Sequence, residues 1–255
     1  MRALLVLNEH SRLGQRDGDL VCRTLAELGI DCERDLKAQD IDAVIAAGGD
    51  GTVIRTIPVA IERGVPLGIV PLGTFNDLAR TLNIPLDPRA ACQCILAGRT
   101  RKIDAGRVNG VYFVNEASVG LSTRIARKQT PEVKQRLGFL AVIATTIQSL
   151  RETRPFRVRL EYDGKSESFA SVQLTIANNS HFGGIFHRED AAIDDGWLDL
   201  YSVEVRGWTQ AVGVVRNMIR GIPAASQGLR TRRATAFTVD TGQPHHIAAD
   251  GEPAG

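Results

Sequence analysis

The sequence has few of the residues that mark disulfide-rich, zinc-binding or nucleic-acid-binding proteins. Its 255 residues include only four cysteines, and aromatic side chains make up 5%. No cysteine has the CxxC or Cys/His spacing of a zinc site, and Cys92 and Cys94 lie too close together to suggest a disulfide framework. Because base-reading motifs and stacking aromatic residues are lacking, we expect no nucleic-acid partner. The cysteines are expected to be reduced, as in a cytoplasmic protein.

Charge of one sign and long apolar runs are scarce as well. The 31 basic and 29 acidic residues leave a formal net charge of +2, which excludes a general binder of polyanions. No stretch reaches the roughly 20 apolar residues of a transmembrane helix, and even residues 137–147 fall short. Any contact with phosphate groups or a membrane surface must therefore be local.

The first hundred residues alternate short apolar runs with helical patterns. Buried strands are predicted at 4–7, 43–47 and 66–70, and helices at 19–28 and 53–62. This alternation is typical of strand–helix–strand units that build a parallel sheet.

After about residue 105 the pattern changes to alternating polar and apolar residues. The segment 156–162 alternates in this way, and Asp163-Gly164 after it is typical of a hairpin turn. One helix is predicted at 140–150 from its apolar spacing. We therefore predict a nucleotide-binding-like α/β domain over 1–105, followed by a β-rich domain over 106–255.

Two glycine-containing loops follow predicted strands and open predicted helices, at residues 48–52 and 71–80. Glycine lets backbone N–H groups approach an anion, and a helix N-terminus adds partial positive charge. Asp50 fits beside phosphate if it holds Mg²⁺ or its water shell, and the Thr52 hydroxyl can donate to a phosphate oxygen. On spacing alone, a tight turn with helix caps is the alternative. Two such loops at the carboxyl ends of strands are expected to converge on one crevice.

Three motifs in order resemble one enzyme family: GGDGT at 48–52, PLGTxNDLAR at 71–80 and Asp-Gly-Glu at 250–252. They look like the diacylglycerol kinase catalytic-domain family of lipid kinases, whose wider superfamily includes the NAD kinases. The second loop is similar to the lipid-kinase form. The resemblance implies a Rossmann-like α/β domain, a C-terminal β-sandwich-like domain, ATP in the cleft, and phosphorylation of a lipid hydroxyl at a membrane surface.

The resemblance also implies roles for particular residues. Asp50 and Asp77 support Mg²⁺ and its water network, and Asn115-Glu116 looks like a family strand end that faces the cleft. The implied nucleotide-binding residues are Asn8, Ser11, Gly48, Gly49, Asp50, Gly51, Thr52, Gly73, Thr74, Asn76 and Asp77.

A stretch rich in Asn, Gly and Asp precedes Trp197. Carboxylate and carbonyl oxygens are the ligands that Mg²⁺ and Ca²⁺ prefer. The family has a structural metal site here, and the match places the Asp195 carboxylate and the carbonyls of Ala192 and Trp197 in it. A plain β-turn is the alternative, because turns use the same residue types.

The acidic motif follows the apolar run 247–249, so its carboxylates are expected to project from a strand end. Phosphoryl transfer to a hydroxyl needs a proton acceptor within reach. The resemblance makes Asp250 the first candidate for this base and Glu252 the second, with Asp50 as a further catalytic residue. A solvated acidic turn is the alternative.

The chain also departs from the family. In the first loop Asn8 and Ser11 are kept, but the expected proline and serine–glycine pair are not, and the chain stops at Gly255 where relatives usually continue. The leading hypothesis is an ATP- and Mg²⁺-dependent kinase of diacylglycerol or a related lipid. The alternatives are an NAD-kinase-like phosphotransferase and a non-catalytic nucleotide- or lipid-binding relative.

Two groups of arginines bear on membrane contact. They either meet anionic head groups during brief visits to the inner face of the membrane or form ordinary solvated strand faces. A homodimer is a further partner that the sequence allows. The arginines are Arg151, Arg154, Arg157 and Arg159 in one group, and Arg230, Arg232 and Arg233 in the other.

Overall fold

The computed structural model describes most of the chain. The described residues are 1–8, 12–73, 76–121, 154–178, 181–182, 186–187, 192–204 and 228–255. Their contacts divide the chain into two compact units, residues 1–103 and 104–255. The predicted helix at 140–150 lies outside the described residues.

The first unit contains a four-stranded parallel sheet with strand order β2-β1-β3-β4. Its elements are β1 Arg2–Leu7, α1 Arg12–Glu27, β2 Asp31–Glu33, β3 Ala43–Gly48, α2 Asp50–Arg63, β4 Leu67–Pro71, α3 Asp77–Thr81 and α4 Pro88–Leu96. All six residues of β3 are buried, as expected for a central strand in a sheet covered on both faces. Helix α2 continues through Pro58 to Arg63, and Gly64 after it has the left-handed conformation that suits a helix C-cap.

Apolar side chains cover the sheet on both faces. On one face Leu5 and Ile45 pack with Leu25 of α1 and Cys92 of α4, and on the other Val44 packs with Ala60 of α2. Helices therefore flank the parallel sheet on both sides, which is the layered arrangement that the alternating sequence pattern predicts.

The second unit is built from antiparallel strands. Its elements are β5 Gly106–Val108, β6 Val111–Phe113, β7 Glu116–Gly120, β8 Phe156–Tyr162, β9 Lys165–Ser171, β10 Gln173–Ala177, β11 His181–Phe182, β12 Phe186–His187, β13 Leu198–Val203, β14 Leu229–Ala234, β15 Thr238–Asp240, β16 Ile247–Ala249 and β17 Glu252–Pro253. A six-stranded sheet has the order β14-β13-β10-β7-β16-β17, and a three-stranded sheet has the order β15-β8-β9. The pairs β5–β6 and β11–β12 are separate hairpins.

The two larger sheets of this unit pack against each other through apolar side chains. Val119, Leu174 and Leu200 of the six-stranded sheet contact Val158 and Leu160 of the three-stranded sheet. The turn at Asp163-Gly164 has positive φ at both residues (46° and 71°), which is the geometry of a tight hairpin. The predicted fold class, an α/β domain followed by a β-sandwich-like domain, is confirmed.

Helices long and apolar enough to cross a membrane are absent from the described part of the chain.

Candidate active site

The first glycine loop connects β3 to α2 and leaves the start of the helix uncapped. Gly49 is the N-cap residue, and no side chain accepts a hydrogen bond from the first turn of α2. The N–H groups of a first helical turn have no partner within the helix. The Thr52 N–H nevertheless donates to the Gly49 carbonyl at 2.9 Å. Because the sequence places glycine here instead of a capping serine or threonine, the N–H groups of Asp50 and Gly51 are the donors that can meet an anion.

The second loop touches the first at positions where only glycine fits. A Cβ atom at Gly73 would lie 2.4 Å from the Gly49 Cα, and one at Gly48 would lie 2.3 Å from the Thr52 Oγ1. The Leu72 N–H also donates to the Gly48 carbonyl at 2.8 Å. Since β3 and β4 are parallel neighbours, both loops lie at the same edge of the sheet. The structure thus brings together the two loops that the sequence singled out.

Asn76 and Asp50 hold the second loop in place. Asn76 is 8% exposed and has a φ of 53°, a left-handed conformation that asparagine tolerates well. Its side chain accepts from the Gly73 N–H at 2.9 Å and donates to the Gly73 carbonyl at 2.9 Å. Asp50 accepts a long hydrogen bond of 3.4 Å from the Leu78 N–H in the first turn of α3. Asn76 therefore shapes the loop in addition to any contact it makes with a ligand.

Thr52 carries a buried polar atom that lacks a partner. Its hydroxyl makes no hydrogen bond with any described residue, although the side chain is 3% exposed. A buried hydroxyl of this kind is normally satisfied, so a missing ligand such as a phosphate oxygen is a natural partner. The glycine cradle and this orphaned donor both fit a nucleotide phosphate.

The remaining predicted nucleotide contacts lie at the same edge or outside the described residues. Asn8 follows β1, and its N–H donates to the Ala47 carbonyl at 3.0 Å, beside the end of β3. Asp77 is the first residue of α3. The carboxylates of Asp50 and Asp77 are ligands of the type that Mg²⁺ prefers. Ser11 and Thr74 lie outside the described residues.

In the second unit, Asp250 joins two strands. It has a φ of 48°, and its carboxylate accepts backbone N–H groups from Val114 at 2.7 Å, Asn115 at 2.9 Å and Glu116 at 2.8 Å. The Asp250 N–H in turn donates to the Glu116 carbonyl at 2.8 Å. A carboxylate offers about four acceptor positions, so most of those on Asp250 are occupied. Asp250 fixes the start of β7 against the end of β16.

Glu116 is the titratable neighbour of Asp250. Burial, with a smaller contribution from the negative charge of Asp250, raises the pKa of the Glu116 carboxyl to about 7. From the sequence, the Asn115-Glu116 pair was predicted through the family resemblance as a strand end that faces the cleft. The shifted pKa was not predicted, because the burial that causes it depends on residues distant in sequence. Glu252, the second candidate base, is exposed on β17.

The predicted metal loop is closed by carboxylates that accept backbone hydrogen bonds. Asp195 accepts from the N–H groups of Ala192 at 3.1 Å and Trp197 at 2.9 Å, and it forms an ion pair with Arg233. Asp104, which the sequence did not single out, accepts from the Gly196 N–H at 2.7 Å.

The structure therefore brings Ala192, Asp195 and Trp197 together. Their carboxylate and carbonyl oxygens are of the right type for a hard cation, but a guanidinium already neutralises Asp195. Within the described residues, no group of three or more His, Cys, Asp or Glu side chains could hold a metal ion. The predicted cation could therefore bind the Asp195 carboxylate only if Arg233 moved away from it or if both cations shared it.

The arginines of β14 are paired with acidic side chains. Arg230 bridges Glu167 and Glu204, and Arg232 binds Glu167. Hydrogen bonds from Arg232 and Tyr162 lower the pKa of Glu167 to about 2. These paired guanidinium groups do not add up to an open positive patch, so the solvated-face interpretation suits β14 better than the head-group interpretation.

A chamber of about 800 Å³ lies within the second unit. Apolar side chains contribute much of its wall, including Phe113, Ala117, Leu174, Ile176, Phe237 and Ile247. Ala236 also lines it and is exposed, which places this residue at an opening. Polar side chains such as Arg107, Asn178 and His245 line it as well, and a cavity of this size with a mixed wall is typical of sites for small ligands.

Comparisons with known proteins agree with this architecture. Residues 6–108 match the family profile of the diacylglycerol kinase catalytic domain, and residues 115–255 match that of the YegS C-terminal NAD kinase beta sandwich-like domain. A crystal structure of a diacylglycerol kinase from Bacillus anthracis is similar with a TM-score of 0.74 and 25% identity, covering 98% of this chain and 90% of the other.

Curated relatives carry the same name. A diacylglycerol kinase from Bacillus subtilis is 31% identical over 222 residues, which span 85% of this chain and 73% of the relative. One from Staphylococcus saprophyticus is 30% identical over 220 residues, with 85% and 72% covered. With two matching profiles in sequence order and these relatives, the chain belongs to the diacylglycerol kinase family.

Proposed function

We propose that the protein is an ATP- and Mg²⁺-dependent lipid kinase that transfers the γ-phosphoryl group to the hydroxyl of diacylglycerol or a related lipid. Kinase activity follows from the family. The observation that carries the lipid acceptor is the chamber of about 800 Å³, whose wall includes the apolar side chains of Phe113, Leu174 and Ile247 beside polar ones. An acyl chain gains free energy from leaving water for such apolar surface.

The phosphate donor is assigned to the glycine loops of the first unit. Gly49 leaves the first N–H groups of α2 uncapped, and Thr52 offers a buried hydroxyl that lacks a partner among the described residues. These groups together provide several donors for the oxygens of a nucleotide phosphate. Phosphoryl transfer depends mainly on holding and neutralising such oxygens, so a rigid glycine cradle suits the reaction.

Mg²⁺ would be held with the help of the Asp50 and Asp77 carboxylates, and it would supply charge neutralisation to the phosphates. Asp50 and Asp77 start α2 and α3 respectively, and Asp50 also receives the Leu78 N–H. The carboxylate of Asp50 thereby links the two loops.

Carboxylates of the second unit supply the proton chemistry of the acceptor hydroxyl. Asp250 and Glu252 are the candidates for this role; Asp250 lies beside the start of β7, where it accepts the Glu116 N–H, and Glu252 is exposed on β17. We further propose that visits to the membrane are brief and peripheral.

The test is transfer from labelled ATP to dispersed lipids and to NAD. We expect label in diacylglycerol or a related lipid in the presence of Mg²⁺, and none in NAD. Label in NAD alone would replace this function with that of an NAD-kinase-like enzyme. ATP binding without transfer to any acceptor would favour a non-catalytic relative.

The role of the chamber is tested with Ala236→Trp. Ala236 is exposed at the opening, so the larger side chain should narrow it. We expect the KM for a long-chain lipid to rise about tenfold, the order expected when a few buried methylene groups lose their contacts, with the KM for ATP unchanged. Ala170→Trp is the matched control, because Ala170 is exposed on β9. Equal lipid KM values in the two variants would contradict the assignment of the chamber.

A further inference from the structure

The loop at residues 192–197 leads directly into β13 and is closed by Asp195. The Asp195 carboxylate accepts the N–H groups of Ala192 at 3.1 Å and of Trp197 at 2.9 Å. A carboxylate offers about four acceptor positions, so these two backbone donors occupy about half of them. The family resemblance implies a metal ion on the same carboxylate, and that ion would have to use the positions that remain.

Arg233 takes one of the remaining positions, because strand pairing brings it to the loop. In the register of β13 and β14 it lies opposite Asp199, which follows Trp197 by two residues. Its guanidinium forms a hydrogen-bonded ion pair with Asp195, and its Nε atom lies 3.9 Å from the Asp199 Oδ1. A single positive charge therefore serves two carboxylates at the start of β13.

The ion pair between Arg233 and Asp195 is partly shielded from water. The two side chains are 33% and 22% exposed respectively. The guanidinium also lies over the Trp197 ring, 5.7 Å from its centroid, which is within the range of a cation–π contact. Trp197 and Gly196 line the chamber of the second unit. Arg233 thus contacts the residue that closes the loop and the residue that ends it, and it fixes part of the chamber wall.

The described carboxylates around the loop offer Mg²⁺ or Ca²⁺ few free ligands. The Oδ2 atom of Asp195 receives both Arg233 and the Ala192 N–H. Asp104 accepts the Gly196 N–H at 2.7 Å, so its carboxylate is engaged with the backbone as well. Across the part of the chain that the structure describes, no three His, Cys, Asp or Glu side chains converge as a metal site. Mg²⁺ needs near-octahedral oxygen ligands at about 2.0–2.1 Å, and a guanidinium on the same oxygen obstructs that approach.

We propose that the Arg233 guanidinium takes the place of the second metal ion, so that the protein's own positive charge holds the loop at 192–197. Divalent cations are then not needed to form this loop. The inference does not depend on the proposed kinase function, because it concerns contacts within the second unit alone. In the proposed kinase, the requirement for Mg²⁺ would then arise at the nucleotide.

The test follows thermal unfolding of the full chain by tryptophan fluorescence, with and without a chelator. Both tryptophans belong to the second unit, so this signal reports on the unit that contains the loop. For the unmodified protein at matched ionic strength, the melting temperatures in excess EDTA and in millimolar Mg²⁺ or Ca²⁺ should agree within about 1 °C, because only a cation that binds the folded state adds stability.

Arg233→Gln removes the charge and frees Asp195 for a cation. Its melting temperature in EDTA should fall by roughly 3–10 °C, since a hydrogen bond between charged groups is lost. Added Mg²⁺ or Ca²⁺ should restore part of this loss. Arg233→Lys keeps the positive charge and should not respond to the cations. Arg232→Gln is the matched control, because it removes an arginine of the same strand that pairs with Glu167 instead of the loop.

Adding Asp195→Asn to Arg233→Gln should abolish the response to cations, which would locate that response at this carboxylate. The proposal is overturned if EDTA destabilises the unmodified protein, or if Arg233→Gln gains no more from the cations than Arg232→Gln does. An Arg233→Gln chain that stays unfolded even with the cations would also count against it, since no cation would then replace the guanidinium. Absence of phosphoryl transfer would overturn the kinase function and leave these measurements unaffected.

Discussion

The two units use backbone N–H groups in opposite ways. In the first unit, Gly49 leaves the first N–H groups of α2 without a side-chain cap, and Thr52 keeps a hydroxyl without a partner among the described residues. In the second unit, Asp250 and Asp195 accept several N–H groups from neighbouring backbone. The first arrangement keeps donors for an anion from outside, whereas the second immobilises the protein's own carboxylates.

This contrast suggests that, in the proposed kinase, backbone groups of the first unit bind phosphate while the second unit provides carboxylate side chains. Donors that bind phosphate need only a fixed backbone, so glycine at 48, 49 and 73 is sufficient. In the second unit the Asp250 carboxylate binds three backbone N–H groups, and pairing with β10 and β16 fixes β7 beside it. Loss of one carboxylate in each unit should therefore have different signatures.

The largest expected effect comes from removing the carboxylate that links the two glycine loops. Asp50→Ala should lower phosphate transfer on the order of 10²- to 10³-fold, because the charge proposed to support Mg²⁺ and the bond to the Leu78 N–H are both lost. Asp50→Asn keeps an acceptor for the Leu78 N–H but not the charge, so it should lower phosphate transfer nearly as much as Asp50→Ala.

Steady-state transfer assays check this expectation, with circular dichroism to confirm folding. Glu62→Gln is the matched control, since Glu62 is exposed on the same helix α2. If Asp50→Asn retained more than half of the wild-type kcat, the loop carboxylate would have a purely structural role.

The glycines of the two units should also respond differently to alanine. A Cβ at Gly73 would meet the Gly49 backbone at 2.4 Å, so Gly73→Ala must move one loop. We expect the KM for ATP to rise tenfold or more, and the free energy of unfolding to fall by about 1–3 kcal/mol.

Gly164→Ala provides the contrast in the second unit. No atom lies within 4 Å of the added Cβ, but the φ of 71° costs about 1 kcal/mol for alanine. ATP kinetics should stay unchanged in this variant. Equal effects of the two substitutions on ATP would remove the distinction between a ligand cradle and an ordinary turn.

A feature can be predicted from the sequence when the residues that form it lie close together along the chain. The loop at 48–52 lies between a strand and a helix that are its immediate neighbours, so local spacing was sufficient to predict it. The hydrogen bonds of Asp250 instead reach residues 134 to 136 positions away. No spacing rule predicts which amides this carboxylate will meet, and the raised pKa of Glu116 depends on the same long-range pairing.

The arginines of β14 illustrate the same limit. From the sequence, Arg230 and Arg232 are an alternating pair on a strand, with solvent or head groups as their surroundings. In the structure they meet Glu204, which follows β13, the partner strand of β14, and Glu167 on β9 of the other sheet, which packs against the six-stranded sheet. The chamber is likewise formed by strands distant in sequence.

A smaller effect should come from Glu167 in this cluster. Hydrogen bonds from Arg232 and Tyr162 lower its pKa to about 2 in the folded state, below an unfolded value near 4.3. The stabilisation is therefore complete above about pH 4.3 and is lost as the pH falls towards 2. Partial exposure of the side chains screens the interaction, so Glu167→Gln should lower the free energy of unfolding by about 1 kcal/mol at pH 7.

Urea unfolding of the unmodified protein and of Glu167→Gln, at pH 7 and at pH 2.5, checks the sign of this effect. Most of the difference between their free energies of unfolding should be gone at pH 2.5. Glu161→Gln is the control, because Glu161 forms an exposed pair with Arg159 and should change stability by only a few tenths of a kcal/mol. A difference that grew at low pH would show that Glu167 is destabilising as an anion.

The smallest expected effect concerns thiol labelling, because cysteines and tryptophans are distributed differently between the two units. All four cysteines lie in the first unit, and both tryptophans, Trp197 and Trp208, belong to the second. Cys94 is exposed, whereas burial raises the pKa of the Cys92 thiol to about 11. A thiol reagent at pH 8 should therefore modify Cys94 first and Cys92 only when the first unit opens.

ATP should protect Cys92 if the nucleotide binds the glycine loops. A ligand that binds only the closed form slows labelling by the factor 1 + [ATP]/Kd, which is about threefold at twice the Kd. Because Cys22 and Cys32 are half-buried and react as well, a variant with Cys22→Ser, Cys32→Ser and Cys94→Ser leaves Cys92 as the thiol to be measured. Cys94 labelling in the unmodified chain should not respond to ATP. Unchanged Cys92 labelling, with ATP instead shifting the tryptophan-monitored unfolding, would place the nucleotide on the second unit and reverse the comparison between the two.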